Sequence, residues 1–292
     1  MSFNQTTPSA HWHHVQKNPT YWAGAISDSE AAKITWHSPT GERSSQIFCI
    51  SVFGELHHLP EWNEILAGLF SDILPAEARI GPWPRPRFEY THRSILGETG
   101  SGKPTNVDVF LETPRAVVCV ESKFVYDAAE GFGGCGQIAN GNCRGFYGAH
   151  SDHKTRQEVN CRLEARDGKR DPRRYWEIGR QYFQTAIFHQ QSPGDHCPFA
   201  GPNFQLMRNF LFAARSAGPA RSCGILAIVP AKTASEVTQQ VAAFRSNVLQ
   251  VPFQSMITSA AYDSIAEQLA MSADSRSRGL SRFIRERIRT LT

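Results

Sequence analysis

Hydrophobic residues in the first third of the chain recur at the spacing of α-helices. Between Ser44 and Leu56 most positions are apolar, which predicts a helix that is buried on most sides. A second group of apolar side chains recurs every three or four residues up to Leu74 and is followed by Pro75. Because this period matches one face of a helix and proline stops a helix, we predict another helix over residues 61–74.

The middle of the chain shows the shorter pattern of β-strands. Apolar and β-branched residues predict strands over residues 88–96, 106–112 and 116–124. Further along, residues 203–215 have a helical period, and residues 223–229 form an apolar strand. The predicted core therefore has the order helix, strand, strand, strand, helix, strand, which indicates an α/β fold.

Three charged residues of the second and third strands are candidates for chemistry. Asp108 lies within the second strand, and Glu121 and Lys123 lie near the end of the third. Residues two apart on a strand point to the same side of a sheet, so Glu121 and Lys123 share a face. Carboxylate oxygens suit Mg²⁺ or Mn²⁺, which activate water and neutralise the charge of a phosphoryl group. The pattern therefore indicates hydrolysis of phosphodiester bonds.

The combination of Asp108 with Glu121, Ser122 and Lys123 resembles the PD-(D/E)XK nuclease superfamily. Val107 stands where the superfamily's signature has proline, which removes no ligand. The resemblance implies a restriction-endonuclease-like core, α-β-β-β-α-β, with a central mixed sheet flanked by helices. It also implies that Asp108, Glu121 and the Ser122 carbonyl are metal ligands. Lys123 would position the attacking water and stabilise developing negative charge.

The same resemblance implies accessory residues on two helices. Residues 44–56 are similar to a bacterial branch of restriction-endonuclease-like proteins, and Gln46 or Glu55 could reach the metal from this helix. A surface cap is the alternative for Glu55. On the helix after the third strand, Gln205 and Arg208 share a face. Gln205 is the candidate for contact with metal-bound water or phosphate, and a solvent-facing side chain is its alternative.

Other functions fit parts of the sequence. Asp and Glu-x-Lys at this spacing also occur in surface hairpins, and a non-catalytic nucleic-acid-binding or scaffold protein could share the fold. Degenerate members of the superfamily usually lose the lysine or a carboxylate. This chain keeps all three, which favours a metal-dependent DNA nuclease.

Residues 97–103 imitate a phosphate-binding P-loop, but Pro104 and a strand follow them where Ser or Thr and a helix are required.

Length and composition favour one domain over residues 1–292. With 40% hydrophobic residues the chain can build a full core. We expect a cytoplasmic protein without membrane contact, because the N-terminus is polar and the apolar runs are short. The net charge is only +4, but residues 273–292 are rich in arginine and are predicted to form a basic helix. The arginine-rich face of this helix either contacts DNA, the predicted partner, or is exposed to solvent. A homodimer is left open.

Residues 126–202 have a different composition and are predicted to be an insertion between the third strand and the next core helix. Four cysteines lie in its glycine-rich or polar stretches: Cys135, Cys143, Cys161 and Cys197. Because cytoplasmic proteins seldom keep disulfides, ordinary free cysteines are the leading interpretation, and a Zn²⁺ site or an iron–sulfur cluster held by these four residues is the alternative. The insertion also interleaves arginines with Tyr175 and Trp176, which suits nucleic-acid contact or an ordinary charged helix.

Overall fold

A computed structural model describes residues 26–34, 36, 44–98, 104–124, 132–135, 161, 173–188, 197–201 and 203–290. The strands are β1 (Arg87–Thr91), β2 (Asn106–Glu112), β3 (Ala116–Ser122), β4 (Ser222–Val229) and β5 (Ile257–Ala261). The α-helices are α1 (Asp28–Ala31), α2 (Ser45–Leu56), α3 (Trp62–Leu69), α4 (Ala76–Arg79), α5 (Tyr175–Gly179), α6 (Phe204–Ala217), α7 (Ala231–Val248), α8 (Tyr262–Ala270) and α9 (Ser275–Arg289). Short 3₁₀ helices span Thr185–Phe188 and Val251–Met256.

The strands form one mixed sheet in the order β1-β2-β3-β4-β5. β1, β2 and β3 are antiparallel neighbours, and β4 and β5 run parallel to β3. The parallel step from β3 to β4 passes through α6, which packs across both strands. The order α2-β1-β2-β3-α6-β4 confirms the predicted α/β core, and β3 is buried along its whole length as a central strand should be.

Helices cover both faces of the sheet. On one face, α6 and α7 close a core that includes Phe210. On the other face, α2, α8 and α9 close a second core that includes Tyr262. Helix α2 is buried at every position from Gln46 to Leu56, which confirms the helix predicted from the nearly continuous apolar run. Its first turn is capped by Ser44, whose Oγ accepts a hydrogen bond from the Ile47 amide at 3.3 Å.

Some boundaries differ from the prediction. The helix predicted over residues 61–74 ends at Leu69 and continues as turns, and the strand predicted over residues 88–96 ends at Thr91. Helix α7, strand β5 and helix α8 were not predicted. In α7 only one narrow stripe is buried, at Val237, Val241, Phe244 and Val248, because most of the helix faces solvent. Such a stripe gives a weak periodic signal in the sequence.

Parts of the segment over residues 126–202 belong to the core. Tyr175 and Trp176 open α5 and are each 1% exposed. The Tyr175 hydroxyl is hydrogen-bonded to Thr105 at 3.0 Å, and the Trp176 ring lies 5.3 Å from the Phe199 ring. The interpretation that these two aromatic residues stack on nucleic-acid bases is therefore wrong, since both pack inside the protein.

The cysteines of this segment occupy different environments. Cys143 lies outside the described residues. Cys161 is buried, whereas Cys135 and Cys197 are half-buried. The Cys135 amide donates to the Phe199 carbonyl at 3.2 Å, so the backbone of Cys135 adjoins the segment that begins with Cys197. Within the described part of the chain, no three His, Cys, Asp or Glu side chains form a group that could hold a metal ion.

The structural metal therefore stays a prediction, and elemental analysis of untagged protein is its test. If the four cysteines share a metal, the protein should carry about one zinc per chain, or iron with acid-labile sulfide. Cys197→Ser should lose that metal, and Cys223→Ser should keep it, because Cys223 lies in the apolar strand β4. Metal-free wild-type protein of normal thermal stability would show that these cysteines are ordinary thiols.

The C-terminal helix α9 docks against α2 through Leu280 and Ile284, which are both fully buried. Asp274 caps it by accepting a hydrogen bond from the Ser277 amide at 2.7 Å. Glu55 of α2 is 1% exposed and forms an ion pair with Arg276, whose Nη2 donates to Glu55 Oε2 at 2.9 Å. The surface-cap interpretation of Glu55 is therefore wrong, and its charge binds α9 to α2.

Within the residues that the structure describes, every helix is too short or too polar to cross a lipid bilayer.

Candidate active site

Three carboxylates lie in a row across neighbouring strands at one end of the sheet. On β1 and β2, Phe88 pairs with Val109 and Tyr90 with Val107, so Glu89 lies opposite Asp108. On β2 and β3 the register pairs Val109 with Val120, and its continuation by one residue sets Asp108 opposite Glu121. Directly opposite residues of antiparallel strands point to the same face of a sheet. The strand register therefore places Glu89, Asp108 and Glu121 side by side on one face of the sheet.

The Glu121 side chain is fully buried, and two polar groups compensate its charge. Lys123 Nζ lies 2.9 Å from Glu121 Oε1, and Asn209 Nδ2 of α6 donates to Glu121 Oε2 at 2.6 Å. Lys123 Nζ also donates to Gln205 Oε1 at 2.9 Å, one helical turn before Asn209. Since a buried carboxylate without partners would be costly, these contacts hold Glu121 and Lys123 in place.

Asp108 is half-buried and accepts a hydrogen bond from the Ser122 amide at 2.7 Å. Burial raises the pKa of Asp108 well above its usual value, and the negative charges of Glu121 and Glu89 raise that pKa further. Crowding of like charges therefore makes the ionised form of Asp108 unfavourable in the metal-free protein. A cation placed between these carboxylates would relieve that repulsion.

Lys123 is 24% exposed at the edge of the carboxylate row. Burial lowers the pKa of Lys123, but the negative charges of Glu121 and Asp108 outweigh burial, and the net shift is upward. The amine is therefore protonated at neutral pH. In this state Lys123 can donate hydrogen bonds and stabilise negative charge, and it has no free electron pair to act as a base.

Glu89 is a candidate site residue that the sequence did not identify. It has a backbone φ of 48°, a left-handed value that is unusual for a residue with a side chain. Its carboxylate accepts hydrogen bonds from Asn106 and Gln46. Burial raises the pKa of Glu89 more than these bonds lower it, to about 6. Backbone strain of this kind concentrates at functional sites, which supports a role for Glu89.

The only signal for Glu89 in the sequence is one acidic residue inside an apolar strand, and its partner depends on the strand register. Asn209 had no signal of its own, because one amide on an amphipathic helix is common. Gln46 and Gln205 are accessory candidates that the structure brings to the site. Gln46 is 7% exposed and contacts Glu89, whereas Gln205 contacts Lys123.

Two further groups border the row. Ser122, whose carbonyl is a candidate ligand, also shares a 2.7 Å hydrogen bond between its Oγ and the buried Tyr262 hydroxyl. This bond fixes the end of β3 against α8.

Arg208 is half-buried on α6, with its guanidinium carbon 5.1 Å from the Phe204 ring centroid, and its positive charge acts on Lys123. Among the described residues, no carboxylate forms an ion pair with Arg208.

A mixed five-stranded sheet flanked by helices on both faces is compatible with a restriction-endonuclease-like core. The chain belongs to the family described as "Restriction Endonuclease associating with ARP", whose sequence model matches residues 10–274. The match contains the whole sheet and all of the candidate site residues, and it ends just before α9. No curated protein and no solved structure matches the chain significantly.

Proposed function

We propose that this protein is a metal-dependent DNA nuclease that hydrolyses phosphodiester bonds by attack of an activated water. One observation carries the proposal: Asp108 and Glu121 lie opposite each other beside the protonated Lys123, within a family of restriction endonucleases. Crowded carboxylates next to a cationic donor suit a divalent metal and a phosphate together.

Asp108, Glu121 and the Ser122 carbonyl would hold Mg²⁺ or Mn²⁺. These ions take oxygen ligands, and Mg²⁺ is commonly bound through one or two carboxylates with waters and substrate phosphates in the other positions. When bound, the metal would lower the pKa of a water and neutralise charge on the phosphate.

The protein's own groups have separable roles in this proposal. Lys123 orients the attacking water and donates to the phosphoryl oxygen on which negative charge develops. Gln205 keeps the Lys123 ammonium at the site through its 2.9 Å hydrogen bond, and Asn209 keeps Glu121 in place through its 2.6 Å bond. Arg208 supplies a second positive charge near Lys123 for the phosphate backbone.

A direct test is incubation of purified protein with plasmid DNA, linear DNA and RNA, each with Mg²⁺, with Mn²⁺ and with excess chelator. The proposal expects DNA cleavage with either metal and none in chelator, with activity restored when metal is added back. The alternative is a non-catalytic nucleic-acid-binding or scaffold protein on the same fold. It predicts binding of DNA under all three conditions with no cut strands.

Helix α9 supports DNA as the substrate. Arg278, Arg282, Arg285 and Arg289 are exposed and recur every three or four residues, so they form one stripe along the helix. The opposite face, with Leu280 and Ile284, is buried. The Arg287 guanidinium carbon lies 5.6 Å from the ring centroid of Phe124, the neighbour of Lys123 in the chain. The helix that carries the stripe therefore contacts the residue after Lys123, whose ring belongs to the core on the other face of the sheet.

We expect this stripe to add affinity for the DNA backbone without taking part in the chemistry. Replacing Arg282, Arg285 and Arg289 with Gln should weaken DNA binding at moderate salt. The slope of log affinity against log salt should become shallower by up to about 3, because each lost phosphate contact removes nearly one unit of slope. Cleavage at saturating DNA should change little. The exposed Lys232→Gln, on α7, is the control and should keep the wild-type slope. An unaltered slope in the triple variant would show that DNA does not contact this stripe and binds to another surface of the protein.

A further inference from the structure

Arg208 on α6 is a half-buried cation that has no anionic partner in the described part of the chain. Its Nε atom is buried and has no hydrogen-bond partner there. Two neighbouring basic side chains differ in this respect. Lys123 pairs with Glu121 at 2.9 Å, and the charge of Arg173 lies 3.9 Å from Glu98. Because a partly buried charge without a partner is costly, Arg208 is suited to an anion from outside the chain.

The guanidinium of Arg208 is held near the candidate active site. Its carbon lies 5.1 Å from the Phe204 ring centroid, a cation–π contact that restrains the side chain. Gln205, which accepts a hydrogen bond from Lys123 at 2.9 Å, lies three residues before Arg208, and residues three apart on a helix share a face. The charge of Arg208 acts on Lys123 and also on Tyr175 of α5. Arg208 therefore presents a restrained positive charge on the side of the site where α6 meets α5.

This position fits a second phosphate of the same DNA strand. In the proposed function Lys123 acts at the scissile phosphate, and Gln205 holds Lys123 in place. The Cβ atoms of residues three apart on a helix, such as Gln205 and Arg208, are separated by about 5–6 Å. That separation is comparable with the step between neighbouring phosphates of one strand. A guanidinium also binds phosphate oxygens through two parallel N–H donors, which fixes the position of the phosphate as well as attracting it.

We propose that Arg208 binds the phosphate that directly flanks the scissile phosphate and thereby positions the strand for cleavage. The inference rests on the proposed nuclease function and adds a second phosphate site to it. Arg208 takes no part in breaking the bond, which is the role of Lys123 and the carboxylates. Loss of the charge on the flanking phosphate and loss of Arg208 remove the same contact. The two changes together should therefore slow cleavage little more than either change alone.

The test uses a short DNA duplex in which one phosphate at a time is replaced by a neutral methylphosphonate. Single-turnover cleavage of each bond is then measured in Mg²⁺. In wild-type protein, the modification at one flanking position should slow cleavage of the neighbouring bond about tenfold, as loss of one charged hydrogen-bonding pair typically does. Arg208→Gln should cut the unmodified duplex about tenfold more slowly, and the same modification should slow it further by about twofold or less. Arg215→Gln, exposed in the last turn of α6, is the control and should keep the wild-type response.

The outcomes separate this proposal from the nuclease proposal. A methylphosphonate effect at one flanking position that disappears in Arg208→Gln supports the second phosphate site. An equal effect in wild type and Arg208→Gln, as a merely structural role of Arg208 predicts, overturns the site and leaves the nuclease proposal standing. So does the absence of any effect at both flanking positions in wild type. If Arg208→Gln does not fold, Arg208→Met decides, because its apolar side chain can keep contact with Phe204. Absence of metal-dependent cleavage by wild type overturns both proposals.

Discussion

Replacing Lys123 with Met should reduce DNA cleavage by about 10²- to 10³-fold, as loss of one donor to developing negative charge typically does. The same change should also destabilise the protein. Lys123 compensates the fully buried Glu121 at 2.9 Å, and its removal leaves that carboxylate with Asn209 alone. We expect a loss of about 2 kcal/mol in the free energy of unfolding, because a buried charge keeps its desolvation cost when its partner is removed. Single-turnover cleavage and urea unfolding measure the two effects.

A double variant tests whether the loss of stability comes from the unpaired charge of Glu121. When Lys123→Met is combined with Glu121→Gln, the buried charge is gone, and the carbonyl oxygen of the new side-chain amide can still accept the hydrogen bond from Asn209. The double variant should recover much of the lost stability, and it should stay inactive because it also lacks a proposed metal ligand. Undiminished cleavage by the single variant Lys123→Met would show that Lys123 acts only by supporting the fold. Wild-type stability in the single variant would show that the Lys123–Glu121 ion pair contributes little.

Replacing Asp108 with Asn should abolish cleavage and raise the stability of the metal-free protein. Loss of a metal ligand removes several kcal/mol of transition-state stabilisation, which corresponds to a rate decrease of about 10³-fold or more. The folded-state pKa of Asp108 is raised by burial and by its acidic neighbours. A carboxylate whose pKa is raised on folding destabilises the protein as pH rises through that pKa. The Asn side chain lacks this charge and can still accept the hydrogen bond from the Ser122 amide. The melting temperature of Asp108→Asn should therefore be higher than that of the wild type at neutral pH.

Glu112 on the same strand is the matched control. Burial raises the pKa of Glu112, but Arg221 and Arg87 lower it more, so its ionised form is favoured. Glu112→Gln should therefore leave cleavage unchanged and lower the melting temperature slightly. A higher melting temperature for Glu112→Gln, or a lower one for Asp108→Asn, would contradict this account. It holds that neighbouring negative charges destabilise Asp108 and do not destabilise Glu112.

Strong local patterns made the core of the fold predictable. The α2 run is apolar at nearly every turn, and β3 and β4 are apolar over most of their length because both are buried on two faces. Asp108, Glu121 and Lys123 were found because charged residues are costly in such strands and their spacing placed two of them on one face. The structure agrees with that placement through the 2.9 Å contact between Lys123 and Glu121.

The other site residues, and burial in the segment after β3, depend on contacts between distant parts of the chain. A local sequence pattern does not contain that information. Glu89 reaches the site only because the β1–β2 register sets it opposite Asp108, and Asn209 only because α6 crosses β3. Tyr175 and Trp176 looked like stacking residues because arginines surround them in sequence, yet they pack in the core. Tyr175 is buried by contacts with Thr105 and with α6, which lie outside that segment.

The central claim is that the carboxylate row with Lys123 cuts DNA with a divalent metal. Its most direct measurement is the single-turnover rate of cleavage of end-labelled DNA as a function of Mg²⁺ concentration, for wild-type protein and Asp108→Asn purified in the same way. We predict a wild-type rate that rises with Mg²⁺, saturates, and is zero in chelator, with no cleavage by Asp108→Asn at any concentration. Undiminished cleavage by Asp108→Asn, or wild-type cleavage in chelator, would contradict this claim.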